Sequence, residues 1–186
     1  MSRVQACSRR GGGVKIVAVV GSGSGCGKTT IVCRILRAVP GLGAVKISPR
    51  EGPSRVEWGR GERGKDTDLY VDSGAACVAR IVGPRDRVVE TWSRIRISFE
   101  SCRAVIVEGS RSVELPEERL VIYVDGGNPE ESRKELRKSL ITDSDIIVSC
   151  LPHMDGGFLF KRKLLFRRQF RSFVRSRCRH CLACHN

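Results

Sequence analysis

Apolar residues along the chain fall into short, β-branched runs that alternate with stretches of helical spacing. The first run, residues 14–20 (VKIVAVV), is nearly continuous and therefore predicts a buried strand. Five later runs predict further strands, over residues 44–47, 77–82, 104–107, 120–124 and 146–149. Because strands alternate with helices, we predict an α/β fold with a mostly parallel sheet and helices on both faces.

The segments between these strands have the pattern of helices. They predict helices over residues 28–39, 66–73, 85–98 and 129–140. Pro40 and Gly41 end the first helix, and Pro129 suits the first turn of the last one. Residues 49–65 are rich in glycine, proline and charge, and they predict a long loop of the kind that is functional or disordered.

The composition of the chain changes near its C-terminus. The formal net charge is +14, and nine Lys or Arg but no acidic residue lie from residue 156 to the end. Four apolar side chains in this part follow helical spacing and predict a basic amphipathic helix: Phe166, Phe170, Phe173 and Val174. We therefore divide the chain into a flexible N-terminus (1–13), a main domain (14–155) and a basic, Phe/Arg-rich tail (156–186).

A glycine-rich segment separates the first predicted strand from the first predicted helix. Residues 22–29 read SGSGCGKT and match G-x-x-x-x-G-K-[ST], except that serine stands at the first position. The amides of such a loop cradle phosphate oxygens, and the helix points its positive end at them. We therefore predict a P-loop NTPase fold whose loop binds nucleotide through Ser22, Gly23, Ser24, Gly25, Cys26, Gly27, Lys28, Thr29 and Thr30. The thiol inside the loop is either oxidation-sensitive or a small filler.

Three side chains are candidate Mg²⁺ ligands. The Thr29 hydroxyl follows Lys28, which would reach the β- and γ-phosphates. Glu108 directly follows an apolar strand, at the carboxyl end where open α/β sheets bind ligands. Asp66 follows the glycine-rich loop and is a candidate for a Mg²⁺ or water contact, so we assign the catalytic roles to Lys28 and Asp66. The alternatives are an exposed glutamate at the end of a strand and an N-cap aspartate.

Five segments occur in a characteristic order: VVGSGSGCGKTT, GAVKIS, GKDTDLYVDSGAACV, AVIVEGSR and DSDIIVS. This set, over about residues 14–150, resembles the molybdopterin-guanine dinucleotide biosynthesis protein B family. Members of that family are P-loop GTP-binding proteins associated with attaching a nucleotide to the molybdenum cofactor. The combination of GKDT and SGA with VEG after an apolar strand is more specific than the phosphate loop alone.

The resemblance implies that residues 24–30 bind the nucleotide phosphates. It also implies which residues line the site, with the two carboxylates near Mg²⁺: Lys46, Lys65, Asp66, Thr67 and Glu108. The family often has histidines after the lysine that matches Lys46, and residues 47–50 of this chain contain none. No Asn-Lys-x-Asp motif occurs, so a preference for GTP over ATP rests on the resemblance.

The last residues of the tail form a C-x-x-C-x-x-C-H motif. Its candidate ligands for Zn²⁺ or an Fe–S cluster are Cys178, Cys181, Cys184 and His185, with His180 as the alternative to His185 for Zn²⁺. A basic tail with reactive thiols is the alternative interpretation. No nucleic-acid-binding motif accompanies the tail, so we do not expect a nucleic-acid partner.

These patterns favour a Mg²⁺-dependent GTP-binding protein with slow GTPase activity, an accessory in molybdenum-cofactor biosynthesis. Its expected partners are a nucleotide, a cofactor nucleotidyltransferase or cofactor-bearing protein, and a second copy of the chain. The alternatives are an ATP-dependent small-molecule kinase or ligase and a metal-handling NTPase that uses the C-terminal cysteines. No apolar run approaches the ~20 residues of a membrane span, and we expect a cytoplasmic protein.

Overall fold

Six parallel strands form the centre of the sheet in the computed structural model, which describes residues 13–126, 144–150, 158–160 and 173. In chain order the strands are β1 (Ile16–Gly21), β2 (Gly43–Pro49), β3 (Arg55–Trp58), β4 (Cys77–Gly83), β5 (Val105–Glu108), β6 (Arg119–Asp125), β7 (Ile146–Cys150) and β8 (Phe158–Phe160). Across the sheet their order is β3-β4-β2-β5-β1-β6-β7-β8. The edge strands β3 and β8 run antiparallel to their neighbours.

The α/β class and the mostly parallel sheet predicted from the sequence are confirmed, and all six predicted strands are present. Two predicted helices appear as α1 (Lys28–Ala38) and α2 (Asp66–Asp72). The helix predicted over 85–98 is an α-helix, α3 (Val88–Ile95), between two 3₁₀ turns. The helix predicted over 129–140 lies outside the described residues.

Strand β3 lies inside the segment that was predicted to be one long loop. Its four residues alternate between charged and apolar side chains, and they pair antiparallel with β4, with Val56 opposite Ile81 and Glu57 opposite Arg80. Four residues are too few for periodicity to stand out between clusters of glycine and proline. The segment therefore forms an edge strand followed by a shorter glycine-rich loop over residues 59–65.

The beginning of the predicted tail also belongs to the sheet. β8 pairs with β7 over three residues, beyond the boundary predicted at residue 155. Further along, Phe173 packs against the apolar cluster beneath α1. The other residues of the predicted amphipathic helix, and residues 1–12, lie outside the described part of the chain.

The apolar core has two halves, one on each face of the sheet. On one face, alternate residues of β1 such as Val17 and Val19 pack with α1 and with Tyr70 of α2. On the other face, Ile16 and Ala18 belong to the cluster that contains Trp92 of α3. Because β1 is covered on both faces, its sequence is a nearly continuous apolar run rather than an alternating one.

Within the ranges that the structure describes, no helix has both the length and the apolar character needed for a membrane crossing.

Candidate functional site

The glycine-rich segment forms a tight loop between β1 and α1. Gly25 and Gly27 have φ angles of 72° and 93°, in the left-handed region that favours glycine. Gly27 immediately precedes α1, and no side chain caps the amides of the first turn. An uncapped first turn leaves N–H donors directed at the loop, an arrangement suited to an anion.

Lys28, the first residue of α1, folds back over this loop. Its ammonium donates to the carbonyl oxygen of Gly23 and lies 3.3 Å from the Cys26 sulfur. The lysine therefore extends along the loop rather than out into solvent. A phosphate held by the loop amides would lie close to its charge.

The loop is tied to the end of β6 by a hydroxyl and by close packing. The Gly126 N–H donates to Ser22 Oγ at 3.0 Å, so the serine at the first loop position makes a contact that glycine could not. Cys26 is only 7% exposed. A Cβ on Gly126 would lie 2.5 Å from the Cys26 Cβ, and one on Gly21 would lie 2.6 Å from its sulfur. Cys26 thus fills the space between two glycines, as expected for a small filler.

The three predicted Mg²⁺ ligands meet at one point beside the loop. The Thr29 hydroxyl lies 2.8 Å from Asp66 Oδ1 and 3.1 Å from Glu108 Oε2. Thr29 is in the first turn of α1, Asp66 is the first residue of α2, and Glu108 ends β5, the strand beside β1. Three elements therefore bring together side chains that are separated by 37 and 79 positions in the sequence.

Lys46, on β2, completes this cluster. Its ammonium lies 2.7 Å from Asp66 Oδ2 and also bonds to Glu108 Oε1. In the sheet, Lys46 is the register partner of Glu108, so the contact follows from strand pairing. Tyr70 donates its hydroxyl to the second oxygen of Glu108. The glutamate is 1% exposed and has hydrogen-bond partners on both oxygens, which satisfies a buried carboxylate.

The charges of Lys46 and Asp66 hold each other ionised. Burial alone would lower the pKa of Lys46, but Glu108 and Asp66 outweigh it, and the pKa lies above its ordinary value. Burial alone would raise the pKa of Asp66, but hydrogen bonds from Lys46 and Thr29 and the charge of Lys46 lower it. Burial and the charge of Glu108 raise the pKa of Tyr70 far above its ordinary value, so this phenol remains a proton donor.

Two other residues implied by the family resemblance, Lys65 and Thr67, make none of the hydrogen bonds or ion pairs that join the cluster. Lys65 is exposed just before α2. Thr67 is buried against the loop over residues 59–65, since a Cβ on Gly61 would come within 2.3 Å of its hydroxyl. Ser24 and Gly25 are at the surface of the phosphate loop, exposed or partly exposed, as is Thr30 at the start of α1.

The chemistry of the cluster fits a magnesium ion. Mg²⁺ takes oxygen ligands and is commonly held by one or two carboxylates together with phosphate oxygens and waters. Thr29, Asp66 and Glu108 would supply one hydroxyl and two carboxylates at the end of the loop. Among the described residues, no group of three or more His, Cys, Asp or Glu is placed to hold a metal by itself. The cysteine motif at the C-terminus lies outside those residues.

Two contributors to the site were not identified from the sequence. Tyr70 lies four positions after Asp66, so both fall on the same face of the helix predicted there. Arg80 interrupts the otherwise apolar strand CVARIV, and its charge contributes to the lowered pKa of Asp66 after the effects of burial, Lys46 and Thr29. A charged residue within a buried strand was the available signal for Arg80.

Comparison of the chain with models of protein families, with curated proteins and with solved structures found no match.

Proposed function

We propose that the chain is a Mg²⁺-dependent, P-loop GTP-binding protein with slow GTPase activity. The observation that carries the proposal is the meeting of the Thr29 hydroxyl with Asp66 and Glu108 at the end of the glycine-rich loop. The pattern G-x-x-x-x-G-K-[ST] concerns the loop alone, whereas the two carboxylates come from distant parts of the chain. Their convergence is what a phosphate loop requires in order to use a magnesium ion.

In this proposal, the residues of the chain act mainly by position and charge. The loop amides and Lys28 bind the phosphates, and Thr29, Asp66 and Glu108 would hold Mg²⁺. A bound Mg²⁺ would neutralise charge that develops on the phosphate oxygens. Tyr70 and Lys46 fix the orientation of Glu108, so that its oxygens face the loop.

Slow hydrolysis is consistent with the charge state of Asp66. The contacts with Lys46 and Thr29 lower its pKa, and a carboxylate with a low pKa is a weak general base near neutral pH. Asp66 is therefore better suited to orienting a water or a metal ion than to removing a proton. The attacking water would be positioned rather than strongly activated.

The accessory role in molybdenum-cofactor biosynthesis extends the proposal through the family resemblance. It is supported by the same residues, because Lys46, Asp66 and Glu108 belong to the resembling segments and lie together in space. An ATP-dependent small-molecule kinase or ligase would use the same cluster. The two differ in the nucleotide bound and in whether water or an acceptor attacks.

Calorimetric titration of the full chain with GTP and ATP, with and without Mg²⁺, tests the proposal. We expect Lys28→Ala to weaken nucleotide binding by about tenfold or more, because a charged hydrogen bond contributes about 1.5–3 kcal/mol. Arg37→Ala is the matched control, since Arg37 is an exposed cation in the last turn of the same helix. Equal affinities for wild type and Lys28→Ala would contradict the proposal, as would binding that does not depend on Mg²⁺.

A further inference from the structure

A row of four charged side chains crosses the sheet beside the proposed Mg²⁺ site. Strand register pairs Glu108 of β5 with Lys46 of β2, Lys46 with Arg80 of β4, and Arg80 with Glu57 of β3. Register partners on neighbouring strands point to the same face of a sheet. The charges therefore run negative, positive, positive, negative across the sheet, with two cations side by side in the middle.

The placement of these two cations is unfavourable by itself. Neighbouring strands lie only ~4.8 Å apart, and like charges that face each other across strands destabilise a sheet. Lys46 pairs with Glu108 of β5 and with Asp66 of α2, whereas Arg80 pairs with Glu57 of β3. Lys46 is thus already paired with two carboxylates, and Asp66 also lies within the field of Arg80, so Arg80 is the cation of the row with hydrogen-bonding capacity left for an added anion.

Arg80 is held in place with part of its guanidinium available. Its Nε donates to Ser48 Oγ at 3.1 Å, and Nη1 donates to Glu57 Oε2 at 3.3 Å. The side chain is 32% exposed. The remaining guanidinium donors have no hydrogen-bond partner among the described residues. A guanidinium fixed by two side chains presents a planar fork that matches the oxygens of a phosphate.

The row of charges extends from the proposed Mg²⁺ site toward the β3 edge of the sheet. Across the sheet, β5, β2 and β4 follow β1 in that order, so Arg80 is three strands away from the phosphate loop strand. Lys46 lies between and contacts both Asp66 and Glu108. A group bound at Arg80 would thus lie on the side of the carboxylates away from β1.

We propose that Arg80 forms a second anion subsite, which binds the phosphate group of a phosphorylated small-molecule substrate beside the nucleotide. The guanidinium donors that remain on Arg80 match the oxygens of a phosphate group. Ser48 and Glu57 are positioning residues that orient Arg80. The inference rests on the proposed function, because the subsite is defined by its place next to the nucleotide phosphates.

The experiment measures the binding of inorganic phosphate and of glycerol phosphate to the full chain by calorimetry. The titrations are made with Mg²⁺ and a non-hydrolysable triphosphate analogue at saturation, so that the phosphate loop is filled. They are repeated without nucleotide in the Lys28→Ala variant, whose loop is disabled. We expect Arg80→Gln to weaken phosphate binding by about tenfold or more in both settings.

Two further variants separate a binding role from a structural one. Glu57→Gln removes the charged partner that positions Arg80, and it should weaken phosphate binding by about twofold to fivefold, less than Arg80→Gln does. Arg94→Gln removes the same charge from an exposed site on α3 and should leave phosphate binding unchanged. Thermal unfolding of each variant verifies that the fold persists.

Each result is decisive for one of the two proposals. Phosphate binding that depends on Arg80, with nucleotide affinity unchanged, supports the subsite. If Arg80→Gln instead weakens binding of the triphosphate analogue, Arg80 contacts the nucleotide itself and the subsite is wrong. Phosphate binding that does not depend on Arg80 in either setting overturns it too, even if nucleotide binding depends on Lys28. If no nucleotide binds, the proposed function fails, and the titration of the Lys28→Ala variant still decides the subsite.

Discussion

At the residue scale, Asp66 has a charge that depends closely on its neighbours. Its two oxygens lie 2.8 Å from the Thr29 hydroxyl and 2.7 Å from the Lys46 ammonium. These contacts outweigh the effect of burial and lower the pKa of Asp66 in the folded protein below its ordinary value of 3.8. Since the folded pKa is the lower one, Asp66 stabilises the fold above the unfolded pKa, and this contribution is lost as pH falls through the folded pKa.

We therefore predict that Asp66→Asn lowers the free energy of unfolding at pH 7 and that the deficit shrinks in acid. The difference between wild type and variant should begin to fall near the ordinary pKa of 3.8 and continue to fall below it. Urea unfolding of both proteins at a series of pH values from 7 downward measures it. Asp86→Asn is the control, because Asp86 is 78% exposed and its nearest cation is 3.9 Å away. A difference that does not change with pH would show that Asp66 is not held ionised by the fold.

At the element scale, the phosphate loop depends on the end of β6. Gly126 packs against Cys26 so closely that a Cβ added to Gly126 would lie 2.5 Å from the Cys26 Cβ and 2.8 Å from its Cα. Backbone atoms would have to move to relieve such a contact, and the moving segment would be the loop that is proposed to bind phosphate.

We predict that Gly126→Ala destabilises the protein by about 1–3 kcal/mol, the usual effect of overpacking. It should also weaken nucleotide binding, because the loop amides would lose their alignment. Chemical unfolding and calorimetric titration measure the two effects. Gly13→Ala is the matched control, since a Cβ there would meet no atom within 4 Å. Unchanged nucleotide affinity in Gly126→Ala would mean that the loop adjusts without the support of β6.

The elements that could be predicted from the sequence are those with strong and long patterns. The run that became β1, the loop before α1 and the apolar strand that ends at Glu108 each carry a signal within a few residues. The four residues of β3 carry no such signal, because so short an alternation indicates a strand only once β4 is known to pair with it. Tyr70 and Arg80 were missed for a similar reason, since their roles arise from contacts with Glu108 and Ser48 across the fold.

At the scale of the whole molecule, a residue of the predicted tail contacts the main domain. The Lys15 ammonium donates to the Phe173 carbonyl oxygen at 3.3 Å and lies 4.9 Å from the centre of its ring. The Phe173 side chain also packs against the apolar cluster beneath α1. Both packing and a cation–π contact therefore connect this part of the tail to the domain.

We predict that Phe173→Ala lowers the free energy of unfolding by about 1–3 kcal/mol, because it removes a partly buried ring together with its cation–π contact. Urea unfolding measures this loss. Ile97→Ala is the control, because Ile97 is an apolar side chain that is 67% exposed, and its truncation should change stability little. Equal effects of the two substitutions would mean that the contact of Phe173 with the domain contributes no stability.

The position of β1 within the sheet has a consequence for how the protein is made. Ile16 pairs with Val105 on one side and with Arg119 on the other, and the loop that follows β1 is fastened by the Gly126 N–H. During synthesis the ribosome produces this loop before residues 105–126 exist. The loop cannot take its final shape until residue 126 has left the exit tunnel. In the interval, the apolar residues of β1 lack their strands on both sides, which makes this stretch of the nascent chain a site for chaperone binding.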